Sequence, residues 1–193
     1  MNLLFHKPFP AFHAPSILAT RRFQRHQERL FAPQDKGRLF FAVIPDAETA
    51  ARMAEVAGSL RMAFGLTGKP VAPARFAVPL LRVDGDDADE ATERAESVAM
   101  PSFRAVFDRI GSFPNGALVL RGEEGTIGLE VLHQRLSDTF DARPGRARRF
   151  TPHVTLLRDR QRIEEQHVEP IEWTVREIVL VRGHRRLTTL PLG

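Results

Sequence analysis

Cysteine and tyrosine are both absent from this chain of 193 residues, whereas phenylalanine occurs 14 times. Without cysteine the protein can form no disulfide, thiolate metal site, iron–sulfur cluster or cysteine nucleophile, and such a composition fits a reducing compartment. No apolar run approaches the roughly 20 residues of a membrane-spanning helix. Hydrophobic residues make up 42% and charged residues 27%, the balance of a globular protein. We therefore expect a cytoplasmic protein without a membrane segment.

The excess of basic residues is concentrated at the N-terminus. Residues 1–36 hold six of the 28 Lys and Arg side chains but only two of the 24 Asp and Glu side chains, so residues 37–193 are neutral. Pro8, Pro10 and Pro15 interrupt this segment, and no periodic apolar face runs through it. We interpret residues 1–36 as a flexible extension and residues 37–193 as one domain. An organelle-targeting segment and a basic arm that contacts nucleic acid stay open as alternatives.

Apolar patterns of two periods alternate along residues 37–193. Short apolar runs bounded by glycine or proline predict strands, and apolar positions three or four residues apart predict helices. Asp46 is a plausible N-cap of the first helix, and Gly65 is a plausible stop signal. The predicted helices are 46–64, 126–140 and an exposed helix within the acidic residues 84–97. The predicted strands are 39–44, 76–83, 103–110, 117–121, 150–157 and 173–181.

Two segments of six residues repeat each other. Residues 77–82 (AVPLLR) and 153–158 (HVTLLR) are identical at four positions, and each follows a predicted strand, helix and loop. This order favours two related lobes. Because side chains alternate along a strand, His153 and Thr155 point together to one face. An imidazole beside a hydroxyl, in two copies that face each other, would supply the proton-transfer and anion-binding groups that phosphodiester cleavage needs.

Residues 38–43 (RLFFAV) and 150–158 (FTPHVTLLR) resemble the 2H phosphoesterases, most closely their RNA 2′,3′-cyclic phosphodiesterase or 2′-5′ RNA ligase-like branch. The resemblance covers about residues 37–193. It implies an α+β fold with two lobes related by a pseudo-two-fold axis, in which two antiparallel sheets face a central cleft and the helices lie outside. It also implies one His-x-Thr/Ser motif in each lobe, no metal or other cofactor, and a ligand that is RNA or a nucleotide with a cyclic phosphate. We expect a monomer.

By this resemblance His153 and Thr155 are catalytic, and Arg158 and Arg149 are candidates for binding phosphate. The first copy of the motif is degenerate, because Ala77 and Pro79 stand where the family has histidine and threonine or serine. No histidine occurs between His26 and His133 that could replace it. Alanine transfers no proton, and proline has neither a hydroxyl nor a backbone N–H. The mechanism with two histidines therefore cannot operate in its usual form.

Three functions remain open at this point. The first is a cyclic phosphodiesterase slowed by the loss of one proton-transfer group, which typically costs about 10²–10⁴ in rate. The second is a non-catalytic protein that binds RNA ends or nucleotide phosphates. The third is a structural or interaction protein that has kept only the fold.

The surroundings of the two motifs differ in charge. A basic cluster near His153 suits a phosphate or RNA ligand, although a solvated arginine loop is the ordinary alternative. The acidic residues after the first motif suit a solvated loop. The arginines are Arg143, Arg146, Arg148, Arg149, Arg158, Arg160 and Arg162, and the acidic residues are Asp84, Asp86, Asp87, Asp89, Glu90, Glu93 and Glu96.

The other histidines are weaker candidates for the site. We expect His133 at the boundary of a helix's apolar stripe, His167 solvated in a charged turn and His184 near the edge of the cleft. The remaining ones, His6, His13 and His26, belong to the predicted extension.

Overall fold

The computed structural model describes residues 37–85, 87–140 and 150–193. The predicted extension 1–36 and Arg149 lie outside these residues. Within them the chain forms eight strands and three α-helices. The strands are β1 (Leu39–Val43), β2 (Val78–Arg82), β3 (Phe103–Ser112), β4 (Ala117–Arg121), β5 (His153–Arg158), β6 (Gln166–Val175), β7 (Glu177–Arg182) and β8 (Arg185–Pro191). The helices are α1 (Ala47–Ala63), α2 (Ala88–Ala95) and α3 (Ile127–Phe140).

The strands form two four-stranded antiparallel sheets. Sheet 1 has the order β2-β1-β7-β8, and sheet 2 has the order β5-β4-β3-β6. The two repeated segments are thus edge strands in equivalent places, each next to one short inner strand. The edges of β2 and β5 also contact each other, and the Val71 N–H donates to the Leu156 carbonyl across 2.8 Å. The predicted α+β class with two related antiparallel sheets is confirmed.

The ends of helix α1 agree with the sequence signals. The Asp46 carboxylate accepts a hydrogen bond of 2.8 Å from the Thr49 N–H, and this bond to the backbone lowers the pKa of Asp46. The helix ends at Ala63, and Gly65 then adopts a φ of +61°, a conformation that glycine adopts without strain. A cap and a stop that the sequence predicts therefore fix the length of α1.

One continuous hydrophobic core joins the sheets and the helices. Helix α1 contacts β5 and β6 of sheet 2, whereas α3 contacts β2 of sheet 1 and β3 of sheet 2. Phe41, Phe76 and Phe107 are among the largest side chains that are fully buried there. None of the helices in the described ranges has the length and apolarity needed to cross a membrane. The helices cover one face of each sheet, and we call the opposite faces the site faces.

The prediction of one strand over 173–181 is wrong. Residues 166–175 belong to sheet 2, and residues 177–182 belong to sheet 1. The reason is a slip in the alternation of buried residues. Trp173 and Val175 are buried at odd-numbered positions, whereas Ile178 and Leu180 are buried at even-numbered positions. Two consecutive exposed residues separate the two patterns. The chain thus leaves one sheet and enters the other without a loop.

Four further details differ from the sequence-based predictions. Strand β8 was not predicted, because it lies at a sheet edge and has no clear alternation of buried residues. The strands expected over 76–83 and 150–157 are β2 and β5, which begin two and three residues later. His167 is exposed as expected, but it lies within β6 rather than in a turn.

Candidate functional site

A β-bulge in β5 brings the three candidates of the second motif to one face of sheet 2. Leu156 is the extra residue, since Val119 pairs with Thr155 while the preceding Leu118 pairs with Leu157. In a regular strand His153 and Arg158 would point to opposite faces, because they are an odd number of residues apart. The extra residue restores Arg158 to the face of His153 and Thr155. The register is Arg121 opposite His153, Leu120 opposite Val154, Val119 opposite Thr155, Leu118 opposite Leu157 and Ala117 opposite Arg158.

Strand β2 contains the same bulge at the equivalent residue. Ala42 pairs with Pro79, and the preceding Phe41 pairs with Leu81, so Leu80 is the extra residue. Leu80 and Leu156 occupy the same position in the repeated segments. The repeat therefore extends from the sequence to an irregularity of the backbone, which indicates that the two lobes share one local structure.

The imidazole of His153 has a defined orientation. Its Nδ1 lies 2.7 Å from the Thr151 carbonyl oxygen, which can only accept a hydrogen bond. Nδ1 therefore carries the proton in the neutral ring, and Nε2 carries the lone pair. The ring also makes an edge-to-face contact with Phe113, with 4.9 Å between the ring centroids. A half-buried histidine held in this way can accept a proton at Nε2.

Sequence reasoning missed two arginines on the site face of sheet 2. They belong to a row of four polar residues that crosses the sheet. Each residue of the row is paired with the next one on the neighbouring strand. The available signal was weak: Arg121 ends the apolar strand ALVLR, and Arg109 lies next to Asp108 in β3. Only the register between strands brings them beside the motif. The row consists of His153, Arg121, Arg109 and His167.

A shared glutamate joins these two arginines. Glu165 Oε1 lies 3.0 Å from Arg109 Nη1, and Glu165 Oε2 pairs with Arg121 Nη2. Arg109 Nη2 also lies 2.7 Å from Glu123 Oε2. The Arg109 side chain is 22% exposed and the Arg121 side chain 33% exposed. Two cations and two anions thus form one network, which reaches the site through Arg121, the residue opposite His153.

The two inner strands of sheet 1 present an apolar site face. Ala42, Val179 and Val181 are buried there, and Phe40, Ile44 and Ala77 pack against them. Ile44 follows Val43, which pairs with Val78, so Ile44 occupies the position that Arg121 has in sheet 2. Ala77 and Pro79 therefore lie beside an apolar residue where the second motif has Arg121. Arg82 keeps the position of Arg158 opposite Phe40, and Arg186 lies opposite Val181 on the other edge strand, so sheet 1 has charged side chains at its edges but not beside Ala77.

Hydrogen bonds to Asp159 hold the backbone beside Arg158. The Asp159 carboxylate accepts from the N–H groups of Thr67, Gly68 and Gln161 at 2.8, 2.6 and 2.9 Å, and these bonds lower the pKa of Asp159. A Cβ atom on Gly68 would overlap with the Arg158 carbonyl oxygen. The loop before β2 is thus fastened to the end of β5, while the Arg158 side chain stays exposed.

Two other histidines occupy places outside this row. His133 is half-buried on α3 and stacks on Phe150 with 4.2 Å between the ring centroids, and burial lowers the pKa of His133. His184 lies in the turn between β7 and β8, where its Nε2 is 2.8 Å from Arg75 Nη2. A guanidinium only donates, so this Nε2 accepts. Arg75 precedes Ala77 by two residues, and the contact therefore brings His184 to the segment that leads into the first motif.

The two related sheets and the motif at His153 are features of the two-lobed α+β proteins of the 2H type. Residues 73–187 match the family model described as the 2′-5′ RNA ligase superfamily. This range is more than half of the chain, and the protein belongs to that superfamily. The resemblance found in the sequence is confirmed at this level.

Solved structures agree with the family. TT0787 of Thermus thermophilus is 26% identical with a TM-score of 0.60, and the match covers 80% of this chain and 97% of that one. Escherichia coli LigT in its apo form is 25% identical with a TM-score of 0.65, over 81% of this chain and 98% of LigT. LigT complexed with 3′-AMP is also 25% identical, with a TM-score of 0.61 and the same coverage. A search of curated proteins gave no match.

Proposed function

We propose that this protein hydrolyses 2′,3′-cyclic phosphate ends of RNA or of nucleotides, without a metal, to 2′-phosphomonoesters. The observation that carries the proposal is the oriented imidazole of His153, with Thr155 and Arg158 on the same face of sheet 2. Membership of a superfamily of phosphoesterases and RNA ligases supports it. The complex of LigT with 3′-AMP supports a nucleotide as the ligand.

In the proposed reaction, Thr155 and Arg158 bind nonbridging oxygens of the cyclic phosphate and stabilise the charge that develops on them. Nε2 of His153 takes a proton from water as its oxygen bonds to phosphorus. The bond from phosphorus to the 3′ oxygen then breaks. Because Ala77 offers no acid in the opposite lobe, the 3′ oxygen takes its proton from solvent. His153 finally returns its extra proton to solvent, which leaves the 2′-phosphomonoester.

The degenerate first motif favours a second candidate function. A protein with Thr155 and Arg158 but only one proton-transfer group can bind RNA ends or nucleotide phosphates without converting them. We rank this binding function second, because the hydrogen bond to Thr151 leaves Nε2 of His153 available for proton transfer. In either case we infer a monomeric cytoplasmic domain formed by residues 37–193, with residues 1–36 as an extension.

A turnover assay on a nucleoside 2′,3′-cyclic phosphate distinguishes the two functions. The product is followed by ³¹P NMR for the full chain, for His153→Ala and for His133→Gln, which removes a histidine outside the site. We expect slow formation of the 2′-phosphate that His153→Ala abolishes and His133→Gln preserves. Binding of the nucleotide without turnover, weakened by Thr155→Val, would support the second function. A folded parent protein that neither binds nor converts the nucleotide would contradict both.

A further inference from the structure

The ion-pair network beside His153 has no role in the reaction described above. We propose that Arg121 is a further phosphate-binding residue, and that Glu165 is an internal anion that occupies Arg121 until the ligand phosphate displaces it. This inference rests on the proposed function, since it assumes that phosphate binds at the site face of sheet 2.

The register brings Arg121 within reach of the phosphate. Arg121 lies directly opposite His153 on the neighbouring strand, and such pairs have their Cα atoms about 4.5–5.5 Å apart with both side chains on one face. A phosphate that contacts His153 and Thr155 is therefore also within the reach of the Arg121 guanidinium. Arg121 is one third exposed. Only one of its five N–H donors is engaged by an ion pair among the described residues.

The fold itself does not require an arginine at this position. The lobes share strand order, edge-strand position and the bulge, yet the equivalent residue in sheet 1 is Ile44. At this position a charged side chain is thus found only in the lobe that retains the histidine and the threonine, whereas Arg158 has a counterpart, Arg82, in the other lobe. This pairing indicates a role toward a ligand rather than a role in folding.

The backbone on both sides of Glu165 is fixed. The Ile163 N–H donates to Ser112 Oγ across 2.9 Å, the Ser112 N–H donates to the Ile163 carbonyl across 3.0 Å, and Gln166 pairs with Ile110. The carboxylate is therefore held beside Arg121, where it makes the contact that a phosphate oxygen would make. Carboxylate and phosphate use the same donors of a guanidinium, so they compete for Arg121.

Arg109 has a different part in this arrangement. It is less exposed than Arg121 and pairs with both Glu165 and Glu123. Its Nε is also buried and has no hydrogen-bond partner among the described residues. We assign Arg109 to positioning Glu165, and Arg121 to binding the ligand.

The effect of Glu165→Gln on phosphate affinity distinguishes competition from structural support. If Glu165 competes with phosphate, Glu165→Gln tightens phosphate binding; if it merely supports the site, the same change weakens binding. We expect Glu165→Gln to tighten the binding of inorganic phosphate and of adenosine 2′-monophosphate about fivefold. Arg121→Gln should weaken both about 10-fold or more, because charge-assisted hydrogen bonds are lost.

Isothermal titration calorimetry on the full chain with these two probes tests the proposal. Glu164→Gln is the matched control, because it removes the same charge one residue earlier from an exposed side chain. The melting temperature of each variant shows that it is folded, and Arg121→Lys provides a second, milder variant with an intermediate loss. In the double variant Arg121→Gln/Glu165→Gln, the gain from Glu165→Gln should disappear.

Three results would overturn the inference while leaving the proposed function intact, and two of them come from the single variants of Arg121 and Glu165. One is unchanged affinity in folded Arg121→Gln, and the other is weaker binding in folded Glu165→Gln, provided that the parent still shows turnover dependent on His153. An equal gain in Glu164→Gln would also overturn it, since the effect would then be one of general charge. A parent protein that binds neither probe and shows no turnover would overturn the proposed function as well.

Discussion

Restoring the first motif is the most direct test of the degenerate lobe. The variant Ala77→His/Pro79→Thr returns an imidazole and a hydroxyl to sheet 1. Pro79 is exposed and Ala77 is partly buried on the site face, so neither change enters the main core. Pro79→Thr also returns a backbone N–H at an edge strand, where proline is tolerated but not required. We expect the variant to fold, with a stability change of about 1 kcal/mol or less.

The surroundings of Ala77 determine the expected gain in rate. A positioned acid or base contributes about 10²–10⁴-fold. The new histidine would lie beside Ile44 and the apolar cluster, and an apolar environment disfavours the imidazolium that an acid requires. The carbonyl equivalent to that of Thr151 belongs to Arg75, which lies in a short 3₁₀ turn rather than in an extended segment. We therefore expect the lower end of the range, about 10²-fold over the parent.

Hydrolysis of a nucleoside 2′,3′-cyclic phosphate measures this gain. Ala77→Gln/Pro79→Thr is the matched control, because glutamine is similar in size but transfers no proton. The pH dependence of the rate should become bell-shaped, as expected for one acid and one base, and adding His153→Ala should remove the gain, because the two histidines act as a unit. A folded variant no faster than its glutamine control would refute the reasoning, because the two site faces would then not act on one ligand.

Three further predictions concern stability. Asp46→Ala should lower the free energy of unfolding by about 1 kcal/mol at pH 7; since the folded pKa of Asp46 is depressed, denaturant titrations should show this difference disappearing as the pH falls below about 4. Burial lowers the pKa of His133 in the folded state, so protonation of this histidine favours unfolding. The melting temperature should therefore fall as the pH is lowered from about 7.5 to 5.5. A His133→Gln variant whose melting temperature depends on pH in the same way would contradict this. A protein that begins at Gly37 should melt cooperatively at nearly the parent's temperature; aggregation would show that residues 1–36 stabilise the domain.

Local signals of the sequence predicted the elements whose stability is local. The cap at Asp46, the stop at Gly65 and the apolar spacing of α1 and α3 act over a few residues, and the structure agrees with them. The prediction failed where a strand depends on distant partners. Residues 173–181 divide between the two sheets because each half is buried against different strands. Strand β8 forms only because it pairs with β7.

The sequence by itself determined the class of fold, the repeat of residues 77–82 and 153–158, and the loss of the first histidine, because residue identities and short periodicities carry this information. The tertiary structure decided which side chains meet. A single extra residue, Leu156, brings Arg158 to the face of His153, and the strand register places Arg121 beside them. Bulges and registers result from pairing between segments far apart in the chain, so no local pattern specifies them.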